Sequence, residues 1–367
     1  MKIGLVTYHR SSSYGACLQA YATQQALCEM GHEVVIIDYL NKYEQRIKKV
    51  FFSADGSIKS FVVNAIKSIV FRRNYWLYHS FENFYKEYKL TSNQFFHCSD
   101  MQELSFDLLA VGSDQVWNSN ISGKIDPVYL LDFGKAEYRI SIASSFGSYI
   151  LNNEEKQWFI KAISQFDSIS VREEFAKQQL ASCGFENVTI ISDPTMFLKR
   201  ESWESFMVSN NERGYILTYF VSASFCEFFQ MVENLKEKYK KPVLNIQSSA
   251  FHWNGVDKTI VGITPQQFLG YIHDADIIIT DSFHGVVFSI LFNKQFIVIN
   301  NAQNPVRIRE LLKKIGLEDV EYNISNKIVE LNDELYSNIN IIVDELRNES
   351  IKWIKNATQQ KHNSFGE

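Results

Sequence analysis

The 367-residue sequence has no cysteine pair at metal or redox spacing, no apolar run near membrane length and no excess of basic charge. Each absence excludes a class of protein. The five cysteines, Cys17, Cys28, Cys98, Cys183 and Cys226, are odd in number and scattered, with no CxxC pair and no Cys/His cluster at zinc spacing. They are read as buried thiols in a reducing compartment, and no metal is expected. A formal net charge of -5 excludes a general nucleic-acid binder, which needs a strongly basic face. Any basic site must then be local. No apolar run approaches the roughly 18 residues that span a bilayer. A strand beginning at Lys2 leaves no room for a signal peptide, so a soluble, cytoplasmic protein is expected. No short-period repeat or low-complexity tract is visible. The loop after the first strand carries a single glycine rather than the dinucleotide pattern, so no redox cofactor is expected.

What is present is a globular composition, 46% hydrophobic and 22% charged, on a chain too long for one ordinary core. An apolar run over 2–8, apolar residues at helical spacing over 14–30 and a second run over 33–38 predict a strand, helix, strand unit with parallel pairing. Gly31-His32 closes the helix. Strands follow at 107–112, 139–145, 168–172 and 188–191, with helices at 153–165 and 174–182. After Asp193-Pro194 the pattern restarts, with strands at 215–221, 243–247, 276–280 and 295–300 and helices at 225–239, 265–273 and from His284. The expected fold class is α/β, with two Rossmann-like domains, each an open parallel sheet. They are placed at 1–200 and 214–325, the break falling between Leu198 and Gly214. A helix within 326–367 is expected to pack back on the first domain. A basic, amphipathic insertion near 42–100 either lies on an anionic membrane surface or is a helical insertion with a solvated basic edge.

Open parallel sheets bind ligands at the carboxyl ends of their strands, which selects the candidates. Arg10, Ser13 and Gly15 lie between the first strand and its helix, where backbone N–H groups hold anions; a plain capping cluster is the alternative. Gly112, Ser113, Asp114, Gln115, Trp117 and Asn118 follow a strand and offer a stacking surface and hydrogen-bond groups for a sugar or phosphate, or else only a turn. Arg172 ends a strand and suits a phosphate or carboxylate, against a surface pair with Glu173 or Glu174. Asp281, Ser282 and His284 end a buried strand, where the histidine can exchange protons near neutral pH and Asp281 can tune it. Arg307 or Arg309 faces the cleft, the other being a surface charge.

Taken in order, Tyr14-Gly15-Ala16-Cys17-Leu18-Gln19-Ala20-Tyr21-Ala22, Val111-Gly112-Ser113-Asp114-Gln115-Val116-Trp117-Asn118, Ser170-Val171-Arg172-Glu173, Ser192-Asp193-Pro194-Thr195 and Thr280-Asp281-Ser282-Phe283-His284-Gly285 resemble the polysaccharide pyruvyl transferase family. The likeness runs from about Lys2 to Leu317. It implies a fold like that of the two-domain GT-B glycosyltransferases, with the donor phosphoenolpyruvate held in a cleft between domains. It implies transfer of the enolpyruvyl carbons to two hydroxyls of a sugar as a cyclic ketal, with release of phosphate. The family histidine maps onto His284 and a basic donor-site residue onto Arg172. Many members carry an arginine two residues before the histidine, where this chain has Ser282; Arg10, Arg172 and Arg307 are the substitutes. The implied acceptor is a sugar of an exopolysaccharide, capsule or cell-wall unit, often lipid-linked at the inner membrane face, which gives the basic insertion a possible peripheral contact. Two other readings stand beside it: a GT-B glycosyltransferase using a nucleotide sugar, and a non-catalytic member of a polysaccharide assembly complex.

Overall fold

Six short apolar runs of the first half pair in parallel into one sheet: β1 (Lys2–Val6), β2 (Glu33–Ile36), β3 (Ser105–Val111), β4 (Lys135–Ser144), β5 (Ser168–Val171) and β6 (Val188–Ile190). This is a computed structural model, and it describes residues 1–41, 80–221, 229–247, 255–299, 305–321 and 329–359. The strand order is β2-β1-β3-β4-β5-β6. Ile3, Leu5, Leu108, Leu109 and Ala110 are all fully buried, as strands covered on both faces require. Helix α1 (Tyr14–Glu29) is buried along most of its length and ends before Gly31, whose φ of +87° is the left-handed value such a stop needs. Helices α2 (Asn153–Ile163) and α3 (Glu174–Ser182) complete this half; α2 starts at Asn152 with a reciprocal capping box through Glu155.

Strand β4 carries a bulge between Ser141 and Ser144, with Ala143 at φ +52°. Two serine hydroxyls fill the gap in the ladder there. Ser170 Oγ donates to the Ser141 carbonyl at 2.7 Å and accepts from the Ala143 N–H at 3.1 Å, while Ser141 Oγ donates to the Ser170 carbonyl at 2.9 Å.

The second half repeats the scheme with α4 (Arg200–Phe206), β7 (Ile216–Tyr219), α5 (Phe229–Tyr239), β8 (Val243–Ile246), β9 (Lys258–Ile260), α6 (Pro265–Asp274), β10 (Ile277–Thr280), α7 (Phe283–Leu291), β11 (Gln295–Val298), α8 (Pro305–Lys314) and the long α9 (Asp333–Gln359). Its parallel sheet has the order β11-β10-β7-β8-β9. The α/β class with two parallel sheets is therefore present as expected. The expected helix start at 225 and strand end at 300 lie outside the described residues, as do residues 42–79 of the basic insertion.

One compact unit gathers the described residues of Met1–Ser53, Tyr85–Leu198 and Asp344–Glu367, and the other those of Ala54–Phe84 and Lys199–Val343. The break falls at Leu198, so α4 and the loop after it count with the second unit. Helix α9 begins in the second unit and finishes in the first. There Arg347 Nε donates to the Met196 carbonyl at 2.9 Å, and Ser350 Oγ accepts from the Ser192 N–H at 3.0 Å. Within the insertion, Leu90 and Phe95 bridge to Ile36 and Tyr39 of the first unit.

The cysteines correct the sequence reading. Cys17 alone of the described four is buried; Cys28 is exposed, and Cys98 and Cys183 are half-buried. Cys98 and Cys183 still pack against the core of the first unit, so only Cys28 faces outward among the four. No helix among the described residues is long and apolar enough to cross a membrane.

Candidate functional site

The first sheet reverses its order between β1 and β3, and the loops leaving those strands diverge at that point. Thr7 and Gly112 stand side by side there: a Cβ on Gly112 would lie 3.0 Å from that of Thr7, so a side chain would force the strands apart. Thr7 Oγ1 donates to the Ser113 carbonyl at 3.1 Å and accepts from Gln19 Nε2 at 2.8 Å, which fastens α1 to both strands. Asp114 follows with φ +73°, a conformation costing roughly 1–2 kcal/mol outside glycine. Asp114 and Gln115 keep partial exposure.

The other residues assigned to an acceptor build this edge from beneath. Trp117 is only 2% exposed. Its indole N–H donates to the Tyr129 carbonyl at 3.1 Å, and its ring packs 5.3 Å from Phe146 and 5.4 Å from Phe159. The expected stacking surface is thus a core ring, because burial among aromatics outweighs what an exposed indole gains. Asn118 caps the turn Ser119–Ser122 by accepting from the Asn120 N–H at 3.0 Å, and Gln115 Oε1 accepts from its amide at 2.7 Å. Gly112 and Ser113 are buried.

Arg172 also turns inward. Its Nη1 lies 2.6 Å from Asp193 Oδ2, with Glu173 at 3.6 Å and Asp114 at 3.8 Å. Burial opposes this charge, but Asp193, Glu173 and Asp114 outweigh burial, so the proton is held more tightly than in an ordinary arginine. Asp193 in turn accepts from the Thr195 N–H at 3.0 Å and hydroxyl at 2.6 Å. The expected ligand cation therefore ties the end of β5 to the loop after β6, since an apolar edge this deep admits a guanidinium only with internal carboxylates.

Where β1 ends, Arg10 grips Asp38 with both arms of its fork, Nε to Oδ1 and Nη2 to Oδ2, each 2.6 Å. Asp38 also meets His9 Nε2 at 3.2 Å and accepts from Gln94 Nε2 at 3.1 Å on both oxygens. Burial raises the carboxyl, yet the hydrogen bonds and charges of His9 and Arg10 prevail and hold it well below the usual carboxylate range. The Arg10 guanidinium lies 5.1 Å from the Tyr85 ring centre. Ser13 occupies the cap position of α1 without a side-chain cap bond and is exposed, while Gly15 is buried in the first turn.

In the second unit the order reverses between β7 and β10, and the candidate histidine stands at that reversal. Thr280 Oγ1 donates to the Tyr219 carbonyl at 2.6 Å and accepts from the Ser282 N–H at 3.0 Å. Ser282 caps α7 through the Gly285 N–H at 3.4 Å. A Cβ on Gly285 would lie 2.5 Å from Thr280 Oγ1, so only glycine lets α7 start this close to the strand. Asp281 is 2% exposed and accepts from the Val221 N–H at 2.7 Å, linking the ends of β10 and β7. His284, half-buried, sits in the first turn with its ring 5.3 Å from Phe283, perpendicular to it. The Arg307 guanidinium lies 5.6 Å from the same Phe283 ring, whereas Arg309 pairs with Glu321 at the surface, 2.7 Å away. Four of the expected residues, Asp281, Ser282, His284 and Arg307, are thus brought to one edge.

A sequence model of the polysaccharide pyruvyl transferase family matches residues 14–304, most of the chain. The chain belongs to that family. None of the curated proteins matches it. Among solved structures it is similar to the UDP-GlcNAc 2-epimerase of Methanocaldococcus jannaschii, with 12% identity and TM-score 0.48 over 98% of this chain and 99% of that one. It is similar to the same-named enzyme of Neisseria meningitidis bound to UDP-GlcNAc, with 11% identity and TM-score 0.48 over 98% and 100%. The glycotransferase of kitacinnamycin gives 12% identity and TM-score 0.48 over 97% and 98%.

In this pyruvyl transferase family member the residues missed by sequence reasoning are Asp38, His9, Gln94 and Tyr219. Burial and then Asp281 push the Tyr219 phenol above its ordinary range, and it hydrogen bonds Ser282. Asp38 left one signal, an acid closing the apolar run Val34 to Ile37; Gln94 left none, being 56 residues further along.

Proposed function

We propose that this protein transfers the enolpyruvyl carbons of phosphoenolpyruvate to two hydroxyls of a sugar in a surface polysaccharide precursor, forming a pyruvate ketal and releasing phosphate. Family membership supports a transferase, and the placement of His284 carries the reading further. It is a half-buried imidazole on the first turn of a helix, at the strand-order reversal where such sheets hold ligands. The reaction needs a proton delivered to C3 of the donor while the first hydroxyl oxygen bonds to C2 and loses its proton. The second hydroxyl then bonds to C2 as the C2–O bond to phosphate breaks, its proton leaving with the phosphate. His284 is assigned as the proton carrier. Ser282, the backbone N–H groups at the start of α7 and the Arg307 guanidinium are assigned to the departing phosphate. Asp281 has the role of fixing the β10 end through Val221. In the first unit Arg10, with Ser13 and Gly15, is assigned to donor charge and the part-exposed Asp114 and Gln115 to the acceptor sugar. Phosphoenolpyruvate serves as a substrate; no cofactor is assigned. We place the reaction in the cytoplasm, with an acceptor that can be lipid-linked.

The test is incubation of the purified protein with candidate glycans and either phosphoenolpyruvate or nucleotide sugars, followed by phosphate release and acceptor mass. A pyruvate ketal on the acceptor with stoichiometric phosphate supports the reading. Hexose addition without phosphoenolpyruvate consumption replaces it by glycosyl transfer. Loss of the cellular glycan's ketal on deletion, but not in a His284→Ala strain, would assign the role to a non-catalytic partner.

A further inference from the structure

The Asp38 corner of the first unit is fully occupied by its own neighbours. Arg10 Nε, Arg10 Nη2, His9 Nε2 and Gln94 Nε2 all converge on the two carboxylate oxygens within 3.2 Å, which fills the roughly four acceptor positions a carboxylate offers. The Asp38 N–H is itself held, donating to Thr91 Oγ1 at 3.0 Å, so the backbone that carries the carboxylate is fixed as well. The partners come from two separate stretches, the loop after β1 and the segment from Thr91 to Gln94, and they meet Asp38 just beyond the end of β2. Arg10 is thereby fixed on its fork by Asp38 and on its face by Tyr85, while 14% of its side chain stays open to solvent.

The loop beyond it is fixed as well. Cys17 Sγ donates to the Ser11 carbonyl at 3.0 Å, and the Tyr85 hydroxyl donates to the same oxygen at 3.3 Å. The outer residues, Ser12 and Ser13, are exposed at the start of α1. A flexible surface arginine loses side-chain entropy each time it closes on an anion. One clamped in advance does not, and it keeps its geometry as charge builds on the ligand.

We infer that Asp38 is a positioning residue, which aims the Arg10 guanidinium at the phosphate or carboxylate of an anionic substrate without touching that substrate itself. The inference rests on the phosphoenolpyruvate reading for the identity of the anion. It fits a fork held by a carboxylate on one side, because replacing Asp38 by asparagine keeps the shape but leaves one oxygen and an amide facing two basic side chains.

The experiment is a double-mutant cycle in the full-length protein, with Asp38→Asn, Arg10→Ala and the pair. Steady-state kinetics are run against phosphoenolpyruvate and against acceptor, and unfolding midpoints are recorded for each variant. Asp38→Asn is expected to raise the KM for phosphoenolpyruvate roughly tenfold, the loss of one charge-assisted hydrogen bond, with kcat and the acceptor KM changed by less than about twofold. Arg10→Ala should match it, and the double variant should be no worse than either single one, since both remove the same aimed group. Asp38→Glu should restore part of the lost affinity. An unchanged phosphoenolpyruvate KM in Asp38→Asn, equal loss of kcat and acceptor binding, or additive effects in the pair would overturn the positioning role while leaving the reaction intact. A wild-type protein that neither binds nor consumes phosphoenolpyruvate would overturn the reading and this inference together. Should Asp38→Asn fold poorly, Arg10→Lys decides: it keeps the charge and loses the fork, so an unaltered phosphoenolpyruvate KM sinks the inference.

Discussion

At the scale of single residues, His284 and Asp38 differ in what their removal should change. His284 is half-buried at a helix start with its ring against Phe283, so His284→Ala should lower kcat by a factor of about 10²–10⁴ while costing only about 1 kcal/mol of unfolding free energy. Stopped assays of phosphate release beside urea melts check both halves of that statement. Asp38 has a signature in pH. Its carboxyl titrates well below the usual range when folded and near about 3.9 when unfolded, so the unfolded chain binds the extra proton. The stabilisation is therefore complete above about pH 4 and is lost as pH falls on toward the folded value. Denaturant midpoints measured from pH 7 down to pH 3 should fall more steeply for the wild type than for Asp38→Asn. Trp117 is a third case: its burial predicts that Trp117→Ala costs about 3–5 kcal/mol of stability by the same melts. Trp117→Phe, which loses chiefly the bond to Tyr129, should cost less.

At the scale of elements, tight approaches set the site. The start of α7 can sit against Thr280 only because residue 285 has no Cβ, so Gly285→Ala should push the first turn, and His284 with it, away from β10. A drop in kcat larger than the change in unfolding midpoint would show displacement of the site rather than general damage. The strands other than β9 and their carboxyl ends were legible in the sequence, because buried parallel strands read as apolar runs with polar loops after them; β9, the three residues Lys258–Ile260 at the sheet edge, is too short and too polar to show as such a run. What the pattern could not tell was direction. Asp114 leaves its strand in a left-handed conformation and β4 slips register at Ala143, and beyond such points alternation no longer says which side chains face out. Trp117 and Arg172 were consequently read as outward-facing groups, although one is a core ring and the other a buried ion pair. The placement of Ser282 and His284 at a strand end was legible because the run that precedes them, Ile277 to Thr280, is unbroken and the helix follows at once.

At the scale of the whole chain, the first unit is assembled from separate segments, the last of them the final part of α9. Arg347 and Ser350 satisfy backbone groups of Met196 and Ser192 that otherwise have to find water or strain their loop. Removing residues from Asp344 onward should therefore destabilise the first unit specifically. Hydrogen exchange should show faster exchange in β5, β6 and the loop around Asp193, with β7 and β10 of the second unit much less affected. Uniform change across both sheets would show instead that α9 supports the two alike.

That split helix has a consequence for biogenesis. Proteins emerging from the ribosome generally complete their leading domain first. Here the amino-terminal half waits for the final part of α9, which is translated after all the described strands of the other half. The nascent chain thus carries an unfinished leading half while the second sheet is being made, and that half matures when α9 emerges rather than when its own strands do.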